Sequence, residues 1–318
     1  MRFDFQDGLS HQFRDSSNSV TIGTAEQKTW TILQIVSATA EYLQTKGIED
    51  PRLNAELLLA HTLGCRRIDL YANFDKPMKE EERERFKGFL KRRVNREPLQ
   101  YILGETEFMG LKFFVDRRVL IPRPDTELLV EKSIDLCRQF PENTEAIKVL
   151  DIGSGCGNIA VSIAKFVGNA FVTCIDISAD ALEVARKNVE LHMISSRIEF
   201  KQVDVLTDAV LGLGDDFDIV VSNPPYGSEE DLKTLEPEIT EYEPRIAIFD
   251  GGDGLKFLRR ISEAGQRLLK KGGFLLFEAG FDQSVKINEI MTHEGYCEIE
   301  VFKDLARIDR VIKGRSGN

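Results

Sequence analysis

Apolar residues recur at helical spacing in the first third of the chain, alternate briefly after it, and then gather into short unbroken runs separated by amphipathic stretches. Trp30, Leu33, Val36, Ala40 and Leu43 form one helical stripe that stops at Gly47. Asp50 as cap and Pro51 in the first turn open a second helix, with Leu53, Leu57, Ala60 and Leu63 facing inward and Gly64 at its end. A charged helix over 78–96 adds Phe86, Phe89, Leu90 and Val94. Residues 26–106 are therefore expected to form a small helical bundle. Residues 1–25, rich in Ser and Asp and without apolar period, read as a flexible extension.

Past Tyr101 the pattern changes to alternation, and Phe108 to Val115, broken by Gly110, predicts a short hairpin within a linker over 107–118. From Ile147 onward, strand-like runs (147–152, 171–176, 198–203, 217–222, 273–279) are interleaved with helical ones (158–167, 179–191, 254–270, 283–293). That alternation predicts an α/β domain over 119–318 with a doubly wound parallel sheet. The last two strands, 297–303 and 308–314, are too closely joined for a parallel crossover, so they are expected to form an antiparallel hairpin at the C-terminal edge.

Charge refines this picture. Residues 1–118 carry 19 Lys and Arg against 18 Asp and Glu, whereas residues 119–318 carry 23 against 35, giving −11 for the 318-residue chain. Such a balance opposes attachment to nucleic acid or an anionic membrane. The Lys91-Arg92-Arg93-Val94-Asn95-Arg96 run, preceded by Glu80 to Glu84, reads as a solvated helix face rather than an RNA contact. With no apolar run long enough to span a bilayer and acids at Asp4, Asp7 and Asp15, a soluble cytoplasmic protein is expected. Five scattered cysteines and four histidines without ligand spacing suggest neither disulfides nor a metal site.

The strand at 147–152 ends in Asp151-Ile152-Gly153-Ser154-Gly155-Cys156-Gly157, and a helix starts at Asn158. Alternating glycines let a ligand approach the main chain at a helix N-terminus. Asn158 stands where a dinucleotide fingerprint requires its third glycine, and no triphosphate loop is present, so a phosphate ligand is disfavoured. Asp176, ending the next strand, is placed to accept both hydroxyls of a ribose, with Ile177 beside it. Asp204 and Val205 follow at the same edge, where an adenine would lie. A ribose-binding acid, a glycine turn and acidic neighbours such as Asp151, without phosphate-binding Lys or Arg in the loop, fit S-adenosylmethionine.

The strand at 217–222 ends in Asn223-Pro224-Pro225-Tyr226, aimed into the same crevice. The Asn223 side-chain oxygen and the Pro224 carbonyl are acceptors, Pro225 fixes the backbone, and the Tyr226 ring offers a flat wall. Together they suit a planar –NH2 group conjugated to a carbonyl or ring, positioned for methyl transfer without a strong base or a metal.

The chain resembles the HemK/PrmC family of N5-glutamine methyltransferases over about residues 28–316. The similarity is carried by Pro98 to Gly104, Phe108 to Leu111, Val119 to Glu127, Asp151 to Gly157, Asn223 to Tyr226 and Tyr242 to Arg245. It implies a Rossmann-like class I methyltransferase fold, with S-adenosylmethionine, and its product S-adenosylhomocysteine, held by Asp151, Gly153 to Gly157, Asp176, Ile177, Asp204, Val205 and Asn223. It further implies that Asn223 to Tyr226 hold the glutamine of the Gly-Gly-Gln loop of class I peptide chain release factors. Leu120 and Pro122 would wall that pocket, and the helical domain would grip the protein substrate. Separately from the resemblance, a monomer is expected. Two other substrates satisfy the same acceptors: a ribosomal-protein glutamine, and the exocyclic amine of adenine in DNA or RNA. Net charge and the absence of an evident target-recognition insertion count against the second. A noncatalytic binding module is a third reading, against which the intact glycines and Asn223 stand.

Overall fold

The structure is a computed structural model that describes residues 30–317; the extension expected over 1–25 lies outside the described residues. Helix α1 (Ile32–Thr45) opens with a reciprocal cap between Thr31 and Gln34. Its buried stripe is Ile32, Ile35, Val36, Thr39 and Leu43, so Leu33, expected inside, faces solvent. Helix α2 (Pro51–Leu63) packs between α1 and the later charged helix. Being covered on two sides, it buries Ala55, Leu58 and Leu59 fully and leaves Leu53, Leu57 and Leu63 half-buried. Asp50 does not cap it with its side chain, because its backbone is left-handed at φ 45°. Asn54 turns back instead, donating to the Glu49 and Asp50 carbonyls at 3.0 and 3.1 Å.

Three further helices, α3 (Arg67–Tyr71), α4 (Glu80–Val94) and α5 (Leu99–Leu103), complete the bundle. The basic run at the end of α4 is not the solvated face expected from its spacing. Arg93 is buried and donates to Asn54 at 2.8 Å and to Glu238 at 3.0 Å; Arg96 reaches the same Glu238 oxygen at 3.2 Å. Arg92 makes a bidentate pair with Glu97 at 2.8 and 2.9 Å. Charges spaced as on a surface helix are thus used inward, because the partner carboxylate lies 145 residues further along the chain.

The hairpin forms from β1 (Glu105–Phe108) and β2 (Leu111–Phe114). Met109 and Gly110 at its tip both have positive φ, 52° and 68°, the geometry that matches strand twist in a two-residue turn. Helix α6 (Thr126–Cys137) follows, an element the alternation read from Ile147 onward leaves out.

The large sheet then assembles β3 (Ile147–Ile152), β4 (Ala170–Asp176), β5 (Ile198–Gln202), β6 (Phe217–Ser222), β7 (Leu269–Glu278), β8 (Tyr296–Lys303) and β9 (Asp309–Ser316) in the order β5-β4-β3-β6-β7-β9-β8. The first five are parallel; β9 and β8 run antiparallel, with β8 outermost, as the short connection requires. Val149, Val172, Ile219 and Leu276 pack one face against α6, α7 (Asn158–Phe166) and α8 (Ala179–Leu191). Leu150, Ile175, Val220 and Leu275 pack the other against α11 (Lys256–Leu268) and α12 (Ser284–His293). Between β6 and α11 lie the short helices α9 (Glu229–Leu232) and α10 (Pro237–Tyr242), and α10 carries Glu238.

Burial alone would raise the Glu238 carboxyl; its own backbone amide and the two guanidinium groups bring it below the ordinary carboxylate value. A depressed pKa contributes stability at neutral pH that is lost as pH falls through the folded value. Glu238→Ala should leave Arg93 buried without its counter-charge and destabilise the protein by about 3 kcal/mol. Denaturant melts at neutral pH should record that loss, and the gap to the wild type should narrow in acid. A melt indistinguishable from the wild type at pH 7 would refute the structural role.

Candidate active site

β3 lies centrally, between β4 and β6, and this is where the strand order reverses direction. Ligands of such sheets sit beyond the strand C-termini at that reversal. Register pairs Ile152 with Ser222, so the loops leaving β3 and β6 start side by side, and the Ser222 hydroxyl donates to the Ile152 carbonyl at 2.7 Å. A cavity of about 550 Å³ opens there.

In the glycine loop, Gly153, Gly155 and Gly157 all have positive φ, at 74°, 54° and 80°. A Cβ on Gly157 would meet the Ala185 Cβ at 3.2 Å, so this glycine also serves the approach of α8. Gly155 N–H donates to Asp176 Oδ2 and Ser178 N–H to Asp176 Oδ1, each at 2.9 Å. The loop and the end of β4 are thereby locked together through the carboxylate expected to meet a ribose. Burial raises the Asp176 pKa, and these backbone donors counter the rise.

Of the cofactor residues expected from the sequence, Gly153, Gly155, Asp176, Ile177, Asp204, Val205 and Asn223 line the cavity. Ser154, Cys156, Gly157 and Asp151 lie off its wall. The Ser154 hydroxyl donates to the Asp151 carbonyl at 3.0 Å. Cys156 is buried among Tyr101, Val119 and Ala181, and burial pushes its thiol up to about 12. Asp151 is fully buried beneath the loop with neither carboxylate oxygen in regular hydrogen-bond geometry, and burial pushes its pKa up to about 7, opposed by the nearby Ser154 hydroxyl and Ala160 N–H.

Of the acceptor residues, Asn223, Pro224 and Pro225 are on the wall with Leu120, whereas Pro122 and Tyr226 are not. Asn223 Nδ2 donates to Thr126 Oγ1 at 3.1 Å, which leaves Oδ1 as the uncommitted end of the side chain. Among the described residues, no backbone donor takes the Pro224 carbonyl. The Tyr226 hydroxyl donates to Glu278 Oε1 at 3.1 Å, and its carbonyl accepts from Gln283 Nε2 at 3.1 Å. Gly227, bonded to Ile248 O at 2.9 Å, ties the motif to the segment that closes the cavity.

That closing segment, Pro244 to Phe257, lies beyond the sequence motifs except for Pro244 and Arg245. It brings Arg245, Phe249, Asp250 and Lys256 to the wall, which Arg118 also lines. The cavity therefore does carry cations, though Arg118 is paired with Asp116 at 2.6 Å and Glu183 at 3.1 Å. A signal exists in Asp250-Gly251-Gly252-Asp253-Gly254, where Asp250 accepts from Gly252 and Lys256 N–H at 2.7 and 3.0 Å. Glu243 binds Arg123 at 2.6 Å and the Ile121 N–H at 3.3 Å, fastening the Leu120 stretch across the mouth. No group of metal ligands occurs among the described residues, and none of the described helices is long and apolar enough to cross a membrane.

Two family models match the chain: PrmC N-terminal domain over residues 34–104 and Methyltransferase small domain over residues 131–241. The release factor glutamine methyltransferase of Geobacter sulfurreducens is 43% identical over 92% of this chain and 100% of its own length. That of Chlorobaculum tepidum is 39% identical over 90% and 97%. Among solved structures, the hMettl16 catalytic domain in complex with a MAT2A 3'UTR hairpin shares the fold, at TM-score 0.51 and 19% identity over 76% of this chain and 83% of that one. With its glycine loop and Asn-Pro-Pro-Tyr motif on adjacent strands, and with relatives that match nearly end to end, the chain belongs to the release factor glutamine methyltransferase family.

Proposed function

We propose that this protein transfers the methyl group of S-adenosylmethionine to the side-chain amide nitrogen, N5, of the glutamine in the Gly-Gly-Gln motif of class I peptide chain release factors. The observation that carries this reading is the side-by-side origin of the two loops, with Asn223 Oδ1 and the Pro224 carbonyl uncommitted beside the glycine-loop cavity. In this reading residues 119–318 are the catalytic domain, 107–118 the linker, and 26–106 the part that grips the release factor.

The donor set suits a cationic, ribose-bearing ligand. The cavity is of ligand size, Asp176 stands at the end of β4 on its wall, and Asp151 is a buried carboxyl in want of a counter-charge. Bound there, S-adenosylmethionine supplies an electrophilic methyl carbon on its sulfonium. Asp176 would hold the ribose hydroxyls, and Asp151 would answer the positive charge from beneath the loop. Asn223 Oδ1 and the Pro224 carbonyl each accept one hydrogen of the substrate amide, turning its nitrogen lone pair toward the methyl group. The N–C bond forms as the S–C bond breaks, the electron pair returns to sulfur, and the nitrogen, positive on methylation, loses a proton. No strong base is required, because the proton leaves an already acidic nitrogen.

Mass spectrometry of release factors and ribosomal RNA after incubation with labelled S-adenosylmethionine tests the reading; methyl on RNA and none on the glutamine would overturn it. Asn223→Ala should lower kcat by about 10²–10³, with cofactor affinity nearly unchanged. Asp176→Ala should weaken cofactor binding by about 1.5–3 kcal/mol in calorimetry. The Asp151 carboxyl makes binding pH-dependent, since a cation favours its ionised form. Affinity should rise as pH climbs through about 7 and level off above it, with a slope approaching tenfold per unit below. Asp151→Asn should flatten that slope, and an unchanged slope in the variant would exclude Asp151 as its source.

A further inference from the structure

Glu278 ends β7 and is 1% exposed. Nothing in the proposed chemistry uses it, yet both ends of the acceptor motif lead to it. Tyr226 donates to its Oε1 at 3.1 Å. From the other side Asn223 donates to the Thr126 hydroxyl oxygen at 3.1 Å, and the Thr126 and Tyr226 hydroxyls are the two side-chain donors that counter the effect of burial on the Glu278 carboxyl. Tyr226 makes the direct bond; Thr126 acts from outside ordinary hydrogen-bond geometry, since Oε2 has no such partner. Thr126 is itself 1% exposed, so its hydroxyl has no solvent to turn to.

We propose that Thr126 and Glu278 are positioning residues that set which end of the Asn223 amide, oxygen or nitrogen, faces the substrate. This rests on the proposed methyl transfer to an amide. The reasoning is one of hydrogen-bond direction. An ionised carboxylate can only accept, so it draws the Thr126 hydrogen toward itself. The Thr126 oxygen then presents lone pairs, which only the NH2 end of Asn223 can answer, and Oδ1 is left for the substrate amide. The same carboxylate fixes the Tyr226 hydroxyl as a donor. Protonated, Glu278 can donate to Thr126, the hydroxyl is freed to donate to Asn223 Oδ1, and the amide can turn its NH2 group toward a substrate that itself offers only N–H. Methyl transfer then loses an acceptor without any loss of the cofactor site.

The charged and titratable groups around Glu278 are Tyr226 on the acceptor loop, Asp125 before α6, and Arg310 on β9. Arg310 is divided between Asp125 at 3.1 Å and Asp304 at 3.0 Å, so it does not pair with Glu278 outright. Burial raises the Glu278 pKa, the Asp125 charge adds to the rise, and Arg310 and the two hydroxyls oppose it. The ionised form is therefore lost, as pH falls, earlier than for an ordinary carboxylate.

The test compares Thr126→Val with Thr126→Ser, and Glu278→Gln with the wild type, using full-length enzyme, a release factor as acceptor and saturating S-adenosylmethionine. Thr126→Val keeps the shape and removes the hydroxyl. It should lower kcat by about 30- to 100-fold, the scale of a misplaced reacting group, with cofactor affinity within about twofold. Thr126→Ser should recover most of the lost turnover. Glu278→Gln can no longer accept at both oxygens; it should lower kcat comparably and remove the acid limb of the wild-type kcat profile. Equal rates in the Val and Ser variants would overturn the assignment, as would an acid limb that survives in Glu278→Gln. Should the Val variant fail to fold, the Ser variant and the Glu278→Gln profile still decide the matter. A wild type that transfers no methyl to the release factor refutes the function itself, whereas an active wild type with insensitive variants refutes this inference alone.

Discussion

The pairing of Ile152 with Ser222 is the constraint on which the site depends. Neighbouring strands lie about 4.8 Å apart, so two loops leaving paired residues begin within one such spacing of each other. A one-residue slip would turn Ile152 and Ser222 to opposite faces and separate the loops. Both strands are fully buried where they pair: Val149, Leu150, Val220 and Val221 have no exposed surface. The Ser222 hydroxyl adds a bond across the last pair. Proximity of the glycine loop to the Asn223-Pro224-Pro225-Tyr226 motif is thus a property of the core.

The features legible in the sequence are those whose physics is local. A glycine loop between strand and helix, an acid at the end of the next strand and two prolines after Asn223 each declare themselves within a few residues. So do the parallel sheet and its antiparallel edge, since run lengths and connection lengths are local quantities. The rest depends on partners distant in the chain. Glu278 looks like any polar strand end until Thr126 and Tyr226 are brought to it. Arg93 sits in a run that reads as surface, and its burial follows from Glu238, 145 residues away. Leu33 and Ile32 are equally apolar; which of them is inside is decided by the rotation of α1 against α2, which one stripe cannot encode. Helix α6 falls between two stronger patterns, and with it Thr126.

The helical region is joined to the cover of the cavity by side chains rather than by the linker alone. Glu238 takes Arg93 and Arg96, the Tyr242 hydroxyl donates to the Asn95 carbonyl, and Glu243 then reaches Arg123 and the Ile121 N–H. Three acidic or hydroxyl groups within six residues of one another therefore connect the end of α4 to the stretch that carries Leu120. A buried pair of this kind adds little net stability against an apolar replacement, but it is intolerant of misalignment. Its consequence is geometric: the helical bundle and the pocket mouth share one set of coordinates.

Buried carboxylates on and behind the cavity wall share a common electrostatic situation. Burial raises Asp151, Asp176 and Glu278 alike, which means each is held where its charge is costly unless something answers it. Asp176 is answered by backbone N–H groups and Glu278 by hydroxyls, whereas Asp151 has only the Ser154 hydroxyl and the Ala160 N–H to counter its burial, and no cation. In the proposed reading, methyl transfer would move a positive charge from sulfur to nitrogen, that is, from the side of Asp151 and Asp176 toward that of Asn223, the Pro224 carbonyl and Glu278. An arrangement with negative potential on the donor side alone would favour the ground state and oppose the transfer. With acceptors and a carboxylate fixed on the receiving side, as that reading has it, the charge would move between two prepared environments, and the dipoles that meet it would need no reorganisation when it arrives.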